Sequence, residues 1–323
     1  MPPSSPPIGP KAVVLLGEQR FDPSLGASVS KLRVGGKIAV ITAGWQEREA
    51  EDKDLADHLG GRTINLNLHA RADDIFRKDK EFHSAHRERQ EVLRHRQDCY
   101  RIRLEHALEA ERVIRQRNAP RSILEEETDV SIESIRELDA QHLVQCGRIH
   151  RDFNERMRTA SRPSVAKHRK EIAEIVADCD AIAIAGGHVA TLVNRLALFG
   201  IASLTRGRIV FAWSGGAMAI SERVVLFHDD PPQGPGAAEV LDEGAGLVRG
   251  VVVLPQPEQR LKLEQKDRVR IMARRFAPSI CLALPARSRV TWRQGKFSSP
   301  DNVQELRPDG EHGKFEPKKA EAS

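Results

Sequence analysis

The sequence predicts an α/β protein with a mostly parallel sheet, helices on both faces of that sheet, and a long helical hairpin inserted between two strands. Short aliphatic runs, each ended by glycine, occur at residues 12–17, 37–44 and 181–187. Such runs are typical of strands that are buried on both faces. Between the second and the third run, residues 71–178 carry apolar residues at the spacing of long helices. These two observations define the predicted fold class.

The N-terminal part follows a strand–helix–strand pattern after a Pro-rich lead. Residues 1–10 are expected to be disordered, and residues 11–70 form the first part of the α/β domain. A charged segment with helical spacing at 45–59 connects the second aliphatic run to an alternating strand at 62–68. Right-handed crossovers between such strands imply a parallel sheet with helices on its faces.

The insertion, residues 71–178, is predicted to be a coiled-coil-like helical hairpin. Asn118-Ala119-Pro120 separates its two long helices, and Pro163 ends the second. The stripe residues recur at three-, four- and seven-residue steps; they are Leu93, Tyr100, Leu104, Ala107 and Ile114, then Ile135, Leu138, Cys146, Ile149, Phe153 and Met157. Such helices often bury their stripes against another chain, so the hairpin is expected to recruit a protein partner or a second copy.

Composition excludes several classes of function. With 51 basic and 46 acidic residues, the charge is nearly balanced, and no nucleic-acid partner is expected; the charges of the first hairpin helix are read as a solvated face with ion pairs rather than an RNA-binding surface. No apolar run approaches the about 20 residues that span a bilayer, and no signal peptide is evident. We therefore expect a cytoplasmic location without a membrane partner.

No metal or organic cofactor is expected. The four cysteines are far apart in sequence and form no C-x-x-C pair, which argues against a zinc site or a disulfide framework. His83 and His86 have a helical spacing that can hold a metal, but no carboxylate or cysteine stands beside them in a ligand motif.

The strongest local signal is Ser214, which directly follows the aliphatic strand 209–212 and Trp213 and precedes two glycines. A nucleophile elbow needs this arrangement, because only small residues fit beside a serine raised on a sharp turn. The helix after the turn directs its N-terminal N–H groups to the same place, where an oxyanion could form. The alternative is an ordinary strand–turn–helix junction with Ser214 as N-cap.

A second glycine turn, Gly186-Gly187-His188, also follows a buried strand and opens a helix. Because both turns lie at the carboxyl ends of neighbouring strands, the backbone N–H groups of Gly187 and Gly215 are candidates for an oxyanion hole.

Residues 181–200 and 209–219 resemble the peptidase E and cyanophycinase type of serine peptidase, within the class I glutamine amidotransferase-like, flavodoxin-like superfamily. In that type one strand ends in Gly-Gly-Asn and a second in Ser-Ala-Gly-Ala. The resemblance covers the sheet, and the helical insertion lies outside it. It implies that Ser214 holds the nucleophile position and that Gly187 and Gly215 hold the oxyanion-hole positions.

The chain departs from the resembled pattern at the general base. His188 replaces the asparagine, and Gln256 stands where the resemblance implies the base histidine. An amide cannot accept the serine proton near neutral pH. His188, or His228 beside Asp229 and Asp230, is the remaining candidate.

Two functions follow from these residues. The first is a degenerate, non-catalytic member that acts by binding a peptide, a small amide or a protein. The alternative is an active serine peptidase or amide hydrolase that uses Ser214 with His188 or His228 as base.

Residues 179–297 form the second part of the α/β domain, with further strands at 224–227, 247–254, 280–284 and 290–292 and a helix at 258–276. Residues 298–323 are expected to be a disordered tail.

Overall fold

The computed structural model describes residues 9–20, 22–229 and 236–317. The strands of these residues are β1 (Ala12–Leu16), β2 (Lys37–Ile41), β3 (Thr63–Asn65), β4 (Cys179–Ile184), β5 (Ile209–Trp213), β6 (Arg223–Leu226), β7 (Glu239–Glu243), β8 (Val251–Pro255), β9 (Ile280–Leu284), β10 (Arg289–Arg293), β11 (Lys296–Asp301), β12 (Gln304–Leu306) and β13 (His312–Lys314).

The helices are α1 (Leu25–Lys31), α2 (Lys53–His58), α3 (Leu68–Lys78), α4 (Lys80–Arg115), α5 (Arg121–Met157), α6 (Pro163–Ala177), α7 (Val189–Phe199), α8 (Ile201–Leu204), α9 (Gly215–Ala219), α10 (Pro257–Arg260) and α11 (Lys266–Phe276), with a 3-10 helix, Ala43–Arg48, after β2.

The main sheet has the order β11-β10-β1-β5-β4-β2-β3. Strands β1, β5, β4, β2 and β3 are parallel, whereas β10 and β11 are antiparallel additions at one edge. Because β1, β5, β4 and β2 are parallel neighbours, their carboxyl ends meet at one edge of the sheet, where α/β proteins place their sites.

Both faces of this sheet are covered by helices, because successive residues of a strand point to opposite faces. Val13 and Leu15 of β1 pack with buried residues of α3, α6 and α7. Val14 and Leu16 pack on the other side with Leu25 and other residues of α1 and α2. The predicted mostly parallel sheet between two helical layers is confirmed.

Beyond the elbow, the strands expected at 224–227, 247–254 and 280–284 lie outside the main sheet, whereas the strand expected at 290–292 joins it as β10. β8 and β9 are parallel partners in a separate sheet of order β13-β12-β9-β8, and β6 pairs with β7 in a two-stranded sheet. The helix expected at 258–276 is also interrupted. Leu261 is extended, and the N–H of Lys262 donates to the Asp229 carboxylate at 2.8 Å.

The expected disorder from residue 298 onward is wrong for residues 298–317. β11 pairs with β10, and β12 pairs with both β9 and β13. Val303 and Phe315 are buried in the core. The strands carry mostly polar, exposed side chains, so they lack the hydrophobic alternation that identifies a strand in a sequence. Residues 318–323, like residues 1–8 of the predicted N-terminal lead, lie outside the described residues.

The predicted helical hairpin is present as α4 and α5, which have 36 and 37 residues. Asp79, the N-cap of α4, accepts a hydrogen bond from the N–H of Phe82 at 3.0 Å and pairs with Arg162. This contact joins the start of the hairpin to the segment that leads into α6. Among the described helices, none is both long and apolar enough to cross a membrane.

A buried polar cluster, which we call the hairpin clamp, fixes the hairpin to the α/β body. It comprises Tyr100 of α4, Asp139 of α5 and Arg275 of α11. Both oxygens of Asp139 accept hydrogen bonds from Arg275 at 2.7 Å, and the Tyr100 hydroxyl donates to Asp139 at 2.7 Å. Tyr100 also accepts the N–H of Val240 in β7 at 3.1 Å. Each buried charge in the clamp is therefore paired, as a low-dielectric interior requires.

Candidate functional site

The carboxyl ends of the central strands open into a cavity of about 1120 Å³. It brings together most of the sequence-predicted site residues; its lining includes Ser214, Gly215, Gly187, His228 and Gln256. A cavity of this size accommodates a ligand of peptide or drug dimensions.

Ser214 occupies a strained turn between β5 and α9. Its backbone has φ 49° and ψ −129°, a conformation that costs a side-chain-bearing residue about 1–3 kcal/mol. The buried residues of β5 before it and the close approach of Gly186 behind it hold this conformation. A Cβ on Gly186 would lie 2.6 Å from the Ser214 Cβ. The turn has the strand–serine–helix geometry of a nucleophile elbow.

The two glycine turns press directly against each other. Gly187 has φ +111°, and a Cβ there would lie 2.4 Å from the carbonyl oxygen of Gly44 in the 3-10 helix after β2. A Cβ on Gly215 would lie 2.7 Å from the Gly187 oxygen, and one on Gly216 would lie 2.4 Å from the Ile184 oxygen. Real Cβ atoms do not tolerate such distances, so these positions require glycine.

The packed turns leave backbone donors available beside Ser214. Within the described ranges, no acceptor is bonded to the N–H of Gly187. Gly215 is the first residue of α9, where a helix supplies no internal acceptor for the N–H. Two N–H groups on adjacent turns can hold a carbonyl oxygen or an oxyanion.

His188 is held by its own helix as the N-cap of α7. Its Nδ1 accepts the N–H of Thr191 at 3.2 Å and lies 2.9 Å from the Thr191 hydroxyl oxygen. Gln46, which has a strained φ of 58°, donates in turn to that hydroxyl at 3.3 Å. A neutral imidazole whose Nδ1 accepts a hydrogen bond carries its proton on Nε2, so neither nitrogen remains to accept a proton from serine.

His228 lies after β6 and lines the same cavity as Ser214. The neighbouring Asp229 is buried and its carboxylate is bonded to Arg268 at 2.7 Å and to the N–H of Lys262 at 2.8 Å. The Asp229 carboxylate therefore binds α11 and the segment before it, and Asp230 lies outside the described residues. No hydrogen bond connects the Ser214 hydroxyl to His228, to His188 or to any other side chain in the described part of the chain.

Gln256 follows β8 in a left-handed conformation, with φ 54° and ψ 52°. Its backbone N–H donates to the Leu284 carbonyl at 3.2 Å, and its side-chain amide donates to Glu18. Sequence reasoning missed Glu18. It comes two residues after β1, at the edge where parallel sheets place their sites, and that position was the available signal.

The hairpin also contacts a residue of the cavity wall, which the sequence did not indicate. Glu239 of β7 lines the cavity and accepts hydrogen bonds from Arg101 at 2.8 Å and Gln97 at 2.9 Å, both on α4. The wall of the cavity around Glu239 is thus set by the position of the hairpin.

Metal-ligating groups do not converge anywhere in the described ranges, where no set of three or more His, Cys, Asp or Glu side chains could hold an ion. His83 and His86 contact the ring of Phe76 instead. Burial, followed by the charges of Arg89, Arg195 and His83, lowers the pKa of His86 to about 3.

Comparison with known proteins found similarity among solved structures. No family profile matches the sequence, and no curated protein is similar to it at a significant level. Among solved structures, the chain is similar to a peptidase from an acI-B1 Actinobacterium, with 15% sequence identity and a TM-score of 0.46. The similarity covers 95% of this chain and 98% of that chain.

Proposed function

We propose that this chain is a degenerate member of the peptidase E and cyanophycinase type, which binds a peptide or small amide ligand over Ser214 without cleaving it. The observation that carries the proposal is a strained serine elbow whose hydroxyl has no hydrogen bond to a histidine of the described residues. A serine hydroxyl is a weak nucleophile until a base within about 2.6 to 3.2 Å takes its proton.

The residue at the inferred base position supports the loss of catalysis. Gln256 has no basic form near neutral pH, and its amide is engaged by Glu18. His188 is engaged as a helix cap. Neither side chain can accept the Ser214 proton in this arrangement.

The same cavity contains backbone donors that can bind a ligand. The N–H groups of Gly187 and Gly215 can donate to a carbonyl oxygen of the ligand, and the glycine packing holds both turns rigid. A preformed donor pair in a cavity binds an amide carbonyl without a large ordering cost.

The second candidate is an active serine peptidase with His228 as base. One observation favours it: His228 and Ser214 line the same cavity. In that mechanism His228 takes the Ser214 proton, the serine oxygen attacks the amide carbon, and the Gly187 and Gly215 N–H groups stabilise the oxyanion.

Labelling with a fluorescent fluorophosphonate distinguishes the two candidates. The wild-type protein, Ser214→Ala and His228→Gln are treated together, beside an active serine hydrolase that verifies the reagent. We expect no signal from the folded wild-type protein above that of Ser214→Ala. Labelling that both variants abolish would establish His228-assisted catalysis instead.

We also propose that the hairpin binds a protein partner or a second copy of the chain. In the described part of the chain, the large hydrophobic side chains that remain exposed all lie on α4 and α5; they are Val92, Ile102, Val113, Ile123, Val130 and Val144. Sedimentation velocity tests self-association, and replacing Ile102 and Val144 with glutamate should abolish any dimer that forms through this surface.

A further inference from the structure

The cavity contains a carboxylate whose charge no described cation neutralises. Glu18 accepts a hydrogen bond from the Gln256 amide, and no lysine, arginine or histidine of the described residues lies within ion-pairing distance of it. A partly buried carboxylate that meets only a neutral amide has unused capacity to accept hydrogen bonds. Glu18 and Gln256 together are called the acceptor pair below.

Two other carboxylates of the cavity lining, Glu51 and Glu239, already have an arginine partner. Glu51 is paired with Arg48 at 2.6 Å, and Glu239 is paired with Arg101 at 2.8 Å. The Arg260 guanidinium lies over the ring of Phe227, 6.0 Å from its centroid. Glu18 therefore differs from Glu51 and Glu239, whose charges are already balanced by arginine.

The backbone on the Glu18 side of the pair is fixed before any ligand arrives. The N–H of Gly17 donates to the Ser288 carbonyl at 2.9 Å, and a Cβ on Gly17 would lie 2.0 Å from the Pro285 oxygen. The side chain of Gln19 accepts the N–H groups of Ser24 and Leu25 at 2.8 and 2.7 Å. Glu18 thus projects from a rigid turn at the end of β1.

The Gln256 side is equally constrained. Its left-handed conformation and its bond to the Leu284 carbonyl place it at the start of α10, with Pro257 as the first helical residue. Because its amide nitrogen donates to Glu18, its amide oxygen remains an acceptor. The pair thus offers acceptor oxygens and one negative charge at a fixed point of the cavity.

We propose that Glu18 and Gln256 form a subsite for a protonated amine of the ligand. This inference rests on the proposed function, in which the cavity holds a peptide or small amide over Ser214. An ammonium group supplies three donors and the missing positive charge, which is what the acceptor pair lacks. The position that would hold a base in an active enzyme then recognises the amino group of the ligand.

The test compares two probes that differ only in this group: L-alanyl-L-alanine amide, which has a free amine, and its N-acetyl derivative, which has none. Their binding is measured by ligand-observed NMR titration with wild-type protein, Glu18→Gln and Glu51→Gln. Glu18→Gln removes the charge but keeps the size and the polar contact with Gln256. Glu51→Gln is the matched control, since it removes a carboxylate that Arg48 already neutralises.

We expect wild-type protein and Glu51→Gln to prefer the free amine by about tenfold, the strength of one charge-assisted hydrogen bond. In Glu18→Gln the preference should disappear. Equal affinity of the wild-type protein for both probes, binding of neither probe at millimolar concentration, or an unchanged preference in Glu18→Gln would each overturn the amine subsite.

The same samples are examined by mass spectrometry for cleaved probe. Preference for the amine together with cleavage would support the subsite and refute the non-catalytic function. No preference and no cleavage would refute the subsite and leave the non-catalytic function standing.

Discussion

The glycine turns around Ser214 and the hairpin clamp are both rigid, but different forces hold them. At the turns, Gly187 and Gly215 meet neighbouring backbone, and Gly186 meets the Ser214 Cβ, so closely that no side chain fits. In the clamp, Tyr100, Asp139 and Arg275 hold the hairpin through buried, charge-assisted hydrogen bonds. Added side-chain volume at the turns should therefore destabilise the protein. In the clamp, a change of charge that leaves a buried partner unpaired should destabilise it.

The largest expected effect is in the clamp. Arg275→Met should destabilise the protein by about 3–5 kcal/mol, because it leaves the Asp139 carboxylate buried without its cation. Urea denaturation followed by circular dichroism measures the change. The triple variant Tyr100→Phe, Asp139→Leu, Arg275→Met is the control. It should recover most of the loss because it removes both buried charges and the hydroxyl together, and only the Val240 N–H and the Ala238 carbonyl lose a partner. Equal destabilisation by both variants would show that packing, and not charge, holds the hairpin.

Added volume tests the turns. Gly216→Ala should cost about 3 kcal/mol or more, since the new Cβ would meet the backbone oxygens of Ile184 and Ala185, which cannot move independently of β4. Gly35→Ala is the matched control, because a Cβ at Gly35 has no atom within 4 Å. Thermal unfolding of both variants measures the difference, and a Gly216→Ala protein as stable as Gly35→Ala would contradict the tight packing of the turns.

Acid should lower the free energy of unfolding through His86, which lies near the start of α4. Unfolded His86 takes up a proton below its ordinary pKa of 6.5, whereas burial lowers the pKa of the folded residue to about 3. The unfolded state therefore binds more protons between these values, and stability falls as the pH decreases from about 6.5. At pH 5 the loss from His86 is about 2 kcal/mol.

His86→Gln isolates this contribution from the carboxylates that also titrate in acid. The free energy of unfolding of the wild-type protein and of His86→Gln is measured from pH 7 to pH 5. Between pH 7 and pH 5, the free energy of unfolding of the wild-type protein should fall by about 2 kcal/mol more than that of His86→Gln. Parallel profiles would show that His86 is protonated equally in the folded and unfolded states.

The smallest effect concerns the strain at Ser214. Ser214→Gly should stabilise the protein by about 1 kcal/mol, because glycine adopts φ 49° and ψ −129° without steric cost and loses part of this gain to its greater unfolded-state entropy. Ser214→Ala keeps the Cβ and should leave stability nearly unchanged. Calorimetry of the two variants compares them, and a destabilised Ser214→Gly would indicate that the elbow is not strained.

The same contrast explains what the sequence could predict. Gly186, Gly187, Ser214 and Gly215 belong to short strand–turn–helix motifs that are contiguous in sequence. These motifs were therefore readable along with the buried strands and the helical periodicity of α4 and α5. The fold class followed from these local patterns.

Long-range polar contacts left no such signal. Glu18 and Gln256 are 238 residues apart, and Asp139 and Arg275 are 136 residues apart. Their pairing depends on how the strand ends and helices meet in three dimensions. The polar strands after residue 296 were missed for a related reason, since they are held by backbone pairing with β9 and β10 and not by an apolar face of their own.

The central claim is that the Ser214 site lacks only its base. The most direct test measures the rate at which a fluorophosphonate adds to Ser214, and intact-protein mass spectrometry detects the adduct. Wild-type protein, Gln256→His and the control Gln256→Asn are compared across neutral pH. We predict one adduct on Gln256→His, formed faster as the imidazole loses its proton, and none on wild-type protein or Gln256→Asn. An adduct on wild-type protein, formed as fast as on Gln256→His and absent from Ser214→Ala, would contradict the account.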